Sequence, residues 1–188
     1  MTPSAPSPPA TPLQKRIHVI QGEYFVTADP EVLLTTTLGS CVAACMRDPI
    51  AGVGGMNHFL LPDGKGRIDA AATRYGAYAM ELLINGLLAA GARRERLEAK
   101  LFGGGHLFDR LTDVGDQNVD FAETFLAREE IAMVGGSVRG THARRIQFWP
   151  VSGRVRQLFL ARGEDKVFAA ETRGKVPADD AGSVELFG

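Results

Sequence analysis

Apolar residues in the first third of the chain come in short runs cut by proline and glycine, not at the spacing of three and four that marks a helix. Arg16 to Val26 closes at Asp29-Pro30, Val32 to Thr37 at Leu38-Gly39, Cys41 to Arg47 at Asp48-Pro49, and Ala51 to Leu61 at Pro62-Asp63-Gly64. Runs of this length bounded by turn residues predict buried strands. The period changes between Ala71 and Ala90, where Tyr75, Tyr78/Ala79, Leu82/Leu83 and Gly86/Leu87 recur by three and four and Gly91 stands as the stop. That spacing predicts an amphipathic helix. Leu97 to Phe102 returns to strand and runs into Gly103-Gly104-Gly105, after which Val119, Ala122, Phe125 and Leu126 share one face of a second helix from Asn118 to about Glu130. Ile131 to Val134 leads into a glycine-rich loop, and Arg145 to Trp149 and Arg154 to Leu160 flank Pro150-Val151-Ser152-Gly153 as a hairpin. Many strands with two separate helices predict an α+β fold, with layered, sandwich-like β-sheets and the two main helices packed on one side.

Composition sets the boundaries of that domain. Residues 1–14 are rich in Pro, Ser, Thr and Ala, with Leu13 as the first large hydrophobe after Met1, and such a segment does not repay the entropy of ordering. It reads as a flexible tail. Residues 163–188 read as a second loose tail, dominated by Gly163-Glu164-Asp165-Lys166 and Pro177-Ala178-Asp179-Asp180, whose apolar tip Val184-Glu185-Leu186-Phe187 is the one part suited to docking. The remaining 15–162 form one domain, since 188 residues suffice for one core and fall short of two. A formal net charge of -1 offers no global attraction to nucleic acid or anionic lipid. No window approaches the roughly 18 apolar residues of a membrane span, and no basic start precedes an apolar core. The expectation is therefore a cytoplasmic protein with no nucleic-acid partner and no membrane insertion.

The chain has two cysteines, Cys41 and Cys45, in one predicted strand. They lie on one face but roughly 13 Å apart along it, too far for a disulfide. Cys41 follows Thr35-Thr36-Thr37-Leu38-Gly39-Ser40, and Gly54-Gly55-Met56-Asn57-His58 comes one apolar run later. A thiol of pKa about 8.5 is mostly protonated at neutral pH, so reaction at Cys41 needs a nearby base. His58 is the nearest histidine, and the Asp48-Pro49 turn lays its strand beside that of Cys41. Gly39 permits a tight turn whose N–H groups suit a developing oxyanion, and Thr35, Thr36 and Thr37 are the closest hydroxyls for orienting the imidazole. A thiol and an imidazole so placed are the minimum equipment for nucleophilic attack on a carbonyl. Against this stands the plainer reading, an inert buried cysteine and a solvated or core histidine.

Other readings of the same residues are weaker. Cys41, Cys45 and His58 supply three ligand types for zinc, but without a second cysteine pair the spacing is a poor zinc signature. Gly103-Gly104-Gly105 and Gly135-Gly136 lack the Gly-Lys-Ser/Thr of a phosphate loop and a full dinucleotide fingerprint, so turns and close backbone approach explain them. His106 and His142 each follow a glycine loop as rival bases, and Arg139 to Arg145 is a basic run, a solvated face or a surface for an acidic protein.

Taken together, residues 37–49 (Thr-Leu-Gly-Ser-Cys-Val-Ala-Ala-Cys-Met-Arg-Asp-Pro), 54–62 (Gly-Gly-Met-Asn-His-Phe-Leu-Leu-Pro), Arg74-Tyr75-Gly76 and 97–105 (Leu-Glu-Ala-Lys-Leu-Phe-Gly-Gly-Gly) resemble the CheD family, the chemoreceptor glutamine deamidases of bacterial chemotaxis. The resemblance spans roughly residues 17 to 160 in order. It implies Cys41 as nucleophile, His58 as general base and acid, and Thr35, six residues before the cysteine, as the residue that positions the histidine. Cys45 takes no catalytic part, and no metal or organic cofactor is required. The implied activity is that of a protein-glutamine glutaminase, a thiol hydrolase that converts receptor glutamine to glutamate with release of ammonia. The implied partners are the cytoplasmic domains of methyl-accepting chemoreceptors and, for some members, CheC, the phosphatase of the response regulator CheY. The resemblance also implies a fold similar to the catalytic domain of cytotoxic necrotizing factor. Two other functions compete with deamidation, a non-catalytic binding module that regulates a CheC-type phosphatase and another thiol acyl-transfer enzyme such as a peptidase or transglutaminase.

Overall fold

Strand β4 (Val42–Asp48) is buried on both faces, which is why its sequence reads as an unbroken apolar run instead of an alternation. Val42, Ala44 and Met46 point one way, toward helix α1 (Ala70–Ala89) and helix α2 (Thr112–Arg128), and join Phe59, Met80, Leu83, Leu101 and Val119 in one core. Ala43 and Cys45 point the other way, into a second core with Leu34, Met56, Phe102, Ile146 and Phe148. The computed structural model, which describes residues 14–62, 70–106, 112–160 and 184–187, thus has three layers. A helical layer covers one five-stranded mixed sheet, and that sheet faces a second.

The helix-covered sheet has the order β2 (Tyr24–Thr27), β5 (Val53–Asn57), β4, β6 (Glu98–Gly103), β7 (Ala132–Val138). The facing sheet runs β1 (Lys15–His18), β3 (Val32–Leu38), β8 (Arg144–Trp149), β9 (Arg154–Phe159), β10 (Val184–Phe187). Pairing is antiparallel except for β1 with β3 and β6 with β7. Both helices pack on the first of these sheets, α1 over β2, β5 and β4 and α2 over β4, β6 and β7.

The β4–β5 hairpin turns on Asp48. Its fully buried carboxylate accepts from the N–H groups of Ile50 and Ala51 through Oδ1, and from Arg93 N–H and the Arg96 guanidinium through Oδ2. Burial alone would raise this carboxyl, but those hydrogen bonds hold it well below the usual carboxylate range.

Four elements depart from the sequence expectation. Arg16 to Val26 is two strands in different sheets, broken at Gln21-Gly22, where Glu23 N–H closes a turn on Ile20 O and Gly22 takes φ +89°. Helix α2 starts earlier than Asn118, at Thr112. Gly135 and Gly136 belong to β7, paired with Lys100 and Leu101 of β6, where a loop was expected. The chain's apolar tip is strand β10 along β9, with the Phe187 ring edge-on to Phe102 at 5.5 Å between centroids. Residues 1–13 and 161–183, which carry most of the two expected tails, lie outside the described residues.

Candidate active site

Cys41 closes the Gly39-Ser40 turn just ahead of β4, and His58 follows the last residue of β5. The β4–β5 register, Cys45 opposite Met56, continues to a bridge between Val42 and Phe59. Ala43 therefore stands opposite His58, and Cys41 is its diagonal neighbour on the same face, a relation that brings side chains within reach. That face looks into the space between the sheets, where Cys41 packs at the edge of the core.

The turn before the thiol is held from several sides. Gly104 N–H donates to Cys41 O at 2.8 Å, and Gly105 N–H donates to Gly39 O at 2.7 Å. The approach is so close that a Cβ on Gly103, whose φ is +109°, would lie 2.1 Å from Cys41 O. From α2, the fully buried Asn118 donates through Nδ2 to Ser40 O at 3.0 Å and accepts the Leu61 N–H at 2.8 Å. One amide thus ties the segment entering Cys41 to the segment leaving His58.

The imidazole is fixed by Thr36. Its hydroxyl donates to Val19 O at 2.8 Å and stands 2.9 Å from His58 Nδ1. A threonine hydroxyl has one proton, and Val19 O takes it, so toward His58 the oxygen accepts. Nδ1 therefore carries the proton, and Nε2 keeps its lone pair. Nε2 is buried and meets no hydrogen-bond partner among the described residues. An imidazole in this tautomer, with Nε2 unengaged, is configured as a base.

Burial sets the protonation of both groups. It pushes the Cys41 thiol up to about 11, only partly offset by the residue's own N–H. It pulls His58 down to about 4, helped by the charge of His18 and opposed by the Val19 carbonyl. Both are neutral near pH 7. The resting pair is thiol and imidazole rather than thiolate and imidazolium, and proton transfer has to accompany attack.

A carboxamide belonging to the chain itself lies on the thiol. Cys41 Sγ donates to Gln21 Oε1 at 3.5 Å. The β1–β2 turn that carries Gln21 is joined to both sides of the His58 peptide, with Gly22 N–H donating to His58 O at 2.7 Å and His58 N–H donating to Glu23 O at 3.0 Å.

Of the residues singled out in the sequence, Cys41 and His58 come to one face of one sheet. Thr35 does not face them. Successive residues of β3 alternate in direction, and it is Thr36, opposite Ile146, that points between the sheets, while Thr35, opposite Gln147, points away. The hydroxyl on His58 is thus that of Thr36, one position along from the expected Thr35. Cys45 is fully buried, opposite Lys100 in the register, and burial raises its thiol strongly. His106 pairs with Asp116 at 3.0 Å, and His142 rests edge-on to Phe159, so both rival bases are engaged elsewhere. The basic run is not simply a solvated face, because Arg139 bonds to Asp116, Asp120 and Glu123, and the buried Arg144 donates to the carbonyls of Ser137, Arg139 and His142. Among the described residues no group of three or more His, Cys, Asp or Glu side chains is placed to hold a metal. Gln21 and Asn118 were missed. The glycine after Gln21 was the one available sign of a break in the run, but nothing in the sequence marks where the turn lands, and Asn118 reads as an ordinary helix residue.

Comparison with known proteins bears on the whole chain. Residues 60–158 match the family described as CheD chemotactic sensory transduction. The probable chemoreceptor glutamine deamidase CheD of Caulobacter vibrioides is 60% identical over 174 residues, 92% of this chain and 93% of that protein. The proteins of the same name from Acidiphilium cryptum and Agrobacterium fabrum are 58% identical over the full length of both chains and 57% identical over 92% of this chain and 97% of that one. Among solved structures, hypothetical protein YfiH of Bacillus licheniformis aligns at 14% identity and a TM-score of 0.40, covering 61% of this chain and 49% of its own, too distant a likeness to bear on the site. No described helix is long and apolar enough to cross a membrane. With the Gly-Ser-Cys turn and the following histidine folded onto one face, and with identities near 60% over nearly all of the sequence, the chain belongs to the CheD family.

Proposed function

We propose that this chain is a protein-glutamine deamidase that acts on chemoreceptors, with Cys41 as nucleophile, His58 as general base and acid, and Thr36 as the residue that positions His58. The observation that carries the assignment of roles is the tautomer set by Thr36, which leaves Nε2 of His58 unprotonated and unengaged on the face that bears Cys41.

In this reading Sγ bonds to the carboxamide carbon of a receptor glutamine while its proton passes to His58 Nε2. The Cys41 N–H, at the turn beside the sulfur, serves as a donor for the developing oxyanion. The C–N bond then breaks as His58 returns the proton to the leaving nitrogen, which departs as ammonia and leaves a thioester. His58 next takes a proton from water, the hydroxide oxygen bonds to the acyl carbon, the C–S bond breaks as His58 gives that proton to the sulfur, and the new acid loses its own proton to solvent as glutamate. The new carboxylate changes the charge of the receptor by one unit, which is how a local reaction alters packing in a signalling helix. The reading includes a cytoplasmic location and a fold related to the catalytic domain of cytotoxic necrotizing factor.

The test is incubation of the protein with the cytoplasmic fragment of a chemoreceptor from its own organism, followed by peptide mass spectrometry. Conversion at specific glutamines appears as a gain of about one dalton with equimolar ammonia and no cleavage or cross-linking, the outcome of acyl transfer to water. Cys41→Ala is expected to lower the rate by at least ~10⁴-fold, as loss of a nucleophile does, with unchanged circular dichroism. Full activity in that variant would overturn the assignment.

A further inference from the structure

Gln21 is an exposed side chain, but its place is not accidental. Its neighbours bond to both the N–H and the C=O of His58, and two residues before it Val19 O takes the proton of the Thr36 hydroxyl that accepts from His58. The turn cannot swing aside without displacing the base. A gate needs a hinge, and here the main chain is fastened to the part of the site that must stay still. Gln21 is therefore part of the wall, and its Oε1 lies 3.5 Å from the sulfur to which any substrate carboxamide must come.

We infer that Gln21 is a specificity-determining residue that reads the substrate's carboxamide through its own. This rests on the deamidase reading. A primary amide offers one acceptor and two donors, so two of them pair through reciprocal N–H···O bonds. In the free protein the Gln21 oxygen accepts the thiol proton. Its second lone pair is open to an N–H of the bound substrate amide before attack, while Nε2 of Gln21 donates to the substrate oxygen. The pair turns the nitrogen of the scissile bond toward one known side of the sulfur. After hydrolysis the product carboxylate has no N–H to offer Oε1 and opposes acceptor to acceptor, so the contact that favours substrate disfavours product. A site whose polar groups are matched to one ligand rejects the analogue that leaves them unmatched.

Two small reagents test this without a receptor. Iodoacetamide carries a carboxamide and iodoacetate a carboxylate, and both alkylate a thiol at the same carbon. Their rate ratio at Cys41, followed by peptide mass spectrometry and divided by the ratio for a free small thiol, measures recognition of the amide. In the native protein this normalised ratio is expected to exceed one, and Gln21→Leu is expected to lower it by about three- to tenfold, the worth of one to two net hydrogen bonds. With a receptor fragment, Gln21→Leu is expected to raise KM about tenfold and weaken discrimination against the glutamate form, with an unchanged melting temperature. Gln21→Asn, whose amide is set back by one methylene, should recover part of the ratio. A ratio unaltered in Gln21→Leu would overturn the inference, and so would faster deamidation by that variant, which would make Gln21 a block rather than a guide. Because alkylation needs no receptor, its failure is separable from failure of the deamidase reading, which would show as an absent mass shift with the amide preference intact.

Discussion

The inter-sheet face carries a cysteine in the middle of β4 and another in the turn just ahead of it, and the two thiols live in opposite circumstances. Cys45 sits deep in the core between the sheets, opposite Lys100, whose ammonium bonds to the carbonyls of Gly153 and Phe187. Cys41, four residues earlier, lies at the rim of that core, where the β1–β2 turn, the end of β5 and the Gly103-Gly104-Gly105 segment converge. Burial raises both thiols. What separates them is what stands beside the sulfur. Cys45 faces a cation committed to main-chain oxygens, and Cys41 shares its face with a neutral imidazole whose second nitrogen is locked by Thr36. In the proposed mechanism the nucleophile is set apart by an available base, not by a low thiol pKa.

The largest blow to that difference short of removing the dyad should come from β3. Thr36→Val takes away the nearer acceptor for His58 Nδ1 and the donor for Val19 O, leaving Nδ1 only the more distant Val19 carbonyl at 3.4 Å. A fall in kcat of about 10²-fold is expected, the usual scale of general acid–base catalysis, with rescue by Thr36→Ser. Thr35→Val, on the opposite face of the strand, should stay within about threefold. Steady-state kinetics on the receptor fragment decides it, and a larger loss in the Thr35 variant would restore the expectation drawn from family resemblance.

Next in size is a pH effect on stability. His58 titrates near 4 when folded and near its ordinary 6.5 when unfolded. Between those values the unfolded chain binds the extra proton, so stability rises with pH there. The contribution is fully present above 6.5 and is lost as pH falls, amounting to roughly 3 kcal/mol by pH 4. Urea unfolding at pH 7 and pH 4 should show this loss in the native protein. It should shrink to the background of the other groups in His58→Phe. An equal loss in both would mean that His58 is not held neutral by burial, and the resting pair would need to be redrawn as ionic.

Legibility in the sequence followed how local each cause is. The β4–β5 hairpin was visible because Asp48-Pro49 builds its own turn, with Asp48 capping the next two free N–H groups. The meeting of Cys41 and His58 on one face was visible because that hairpin brings the two segments together. Which threonine hydroxyl meets His58 was not, since a period of two puts Thr35 and Thr36 on opposite faces and only the pairing of β3 with β8 says which face looks inward. Gln21 was hidden for a related reason. Its meeting with Cys41 depends on β1 and β2 joining different sheets, a long-range choice that Arg16 to Val26 does not encode locally.

The smallest expected effect is the one that tests the middle of β4. Cys45→Ala removes a sulfur from a filled space among Met56, Phe102 and Phe148, so a loss of roughly 1 kcal/mol is expected from packing alone. Deamidation should stay within about twofold, because among the described residues Cys45 makes no hydrogen bond to the imidazole and Ala43 separates the two thiols on that face. Thermal melting and kinetics on one preparation measure both quantities. A small change in melting temperature with a large loss of activity would show that strain at Cys45 is transmitted along β4 to Cys41. The strand would then behave as one unit, and the division between a structural thiol and a reactive one would no longer rest on their neighbours.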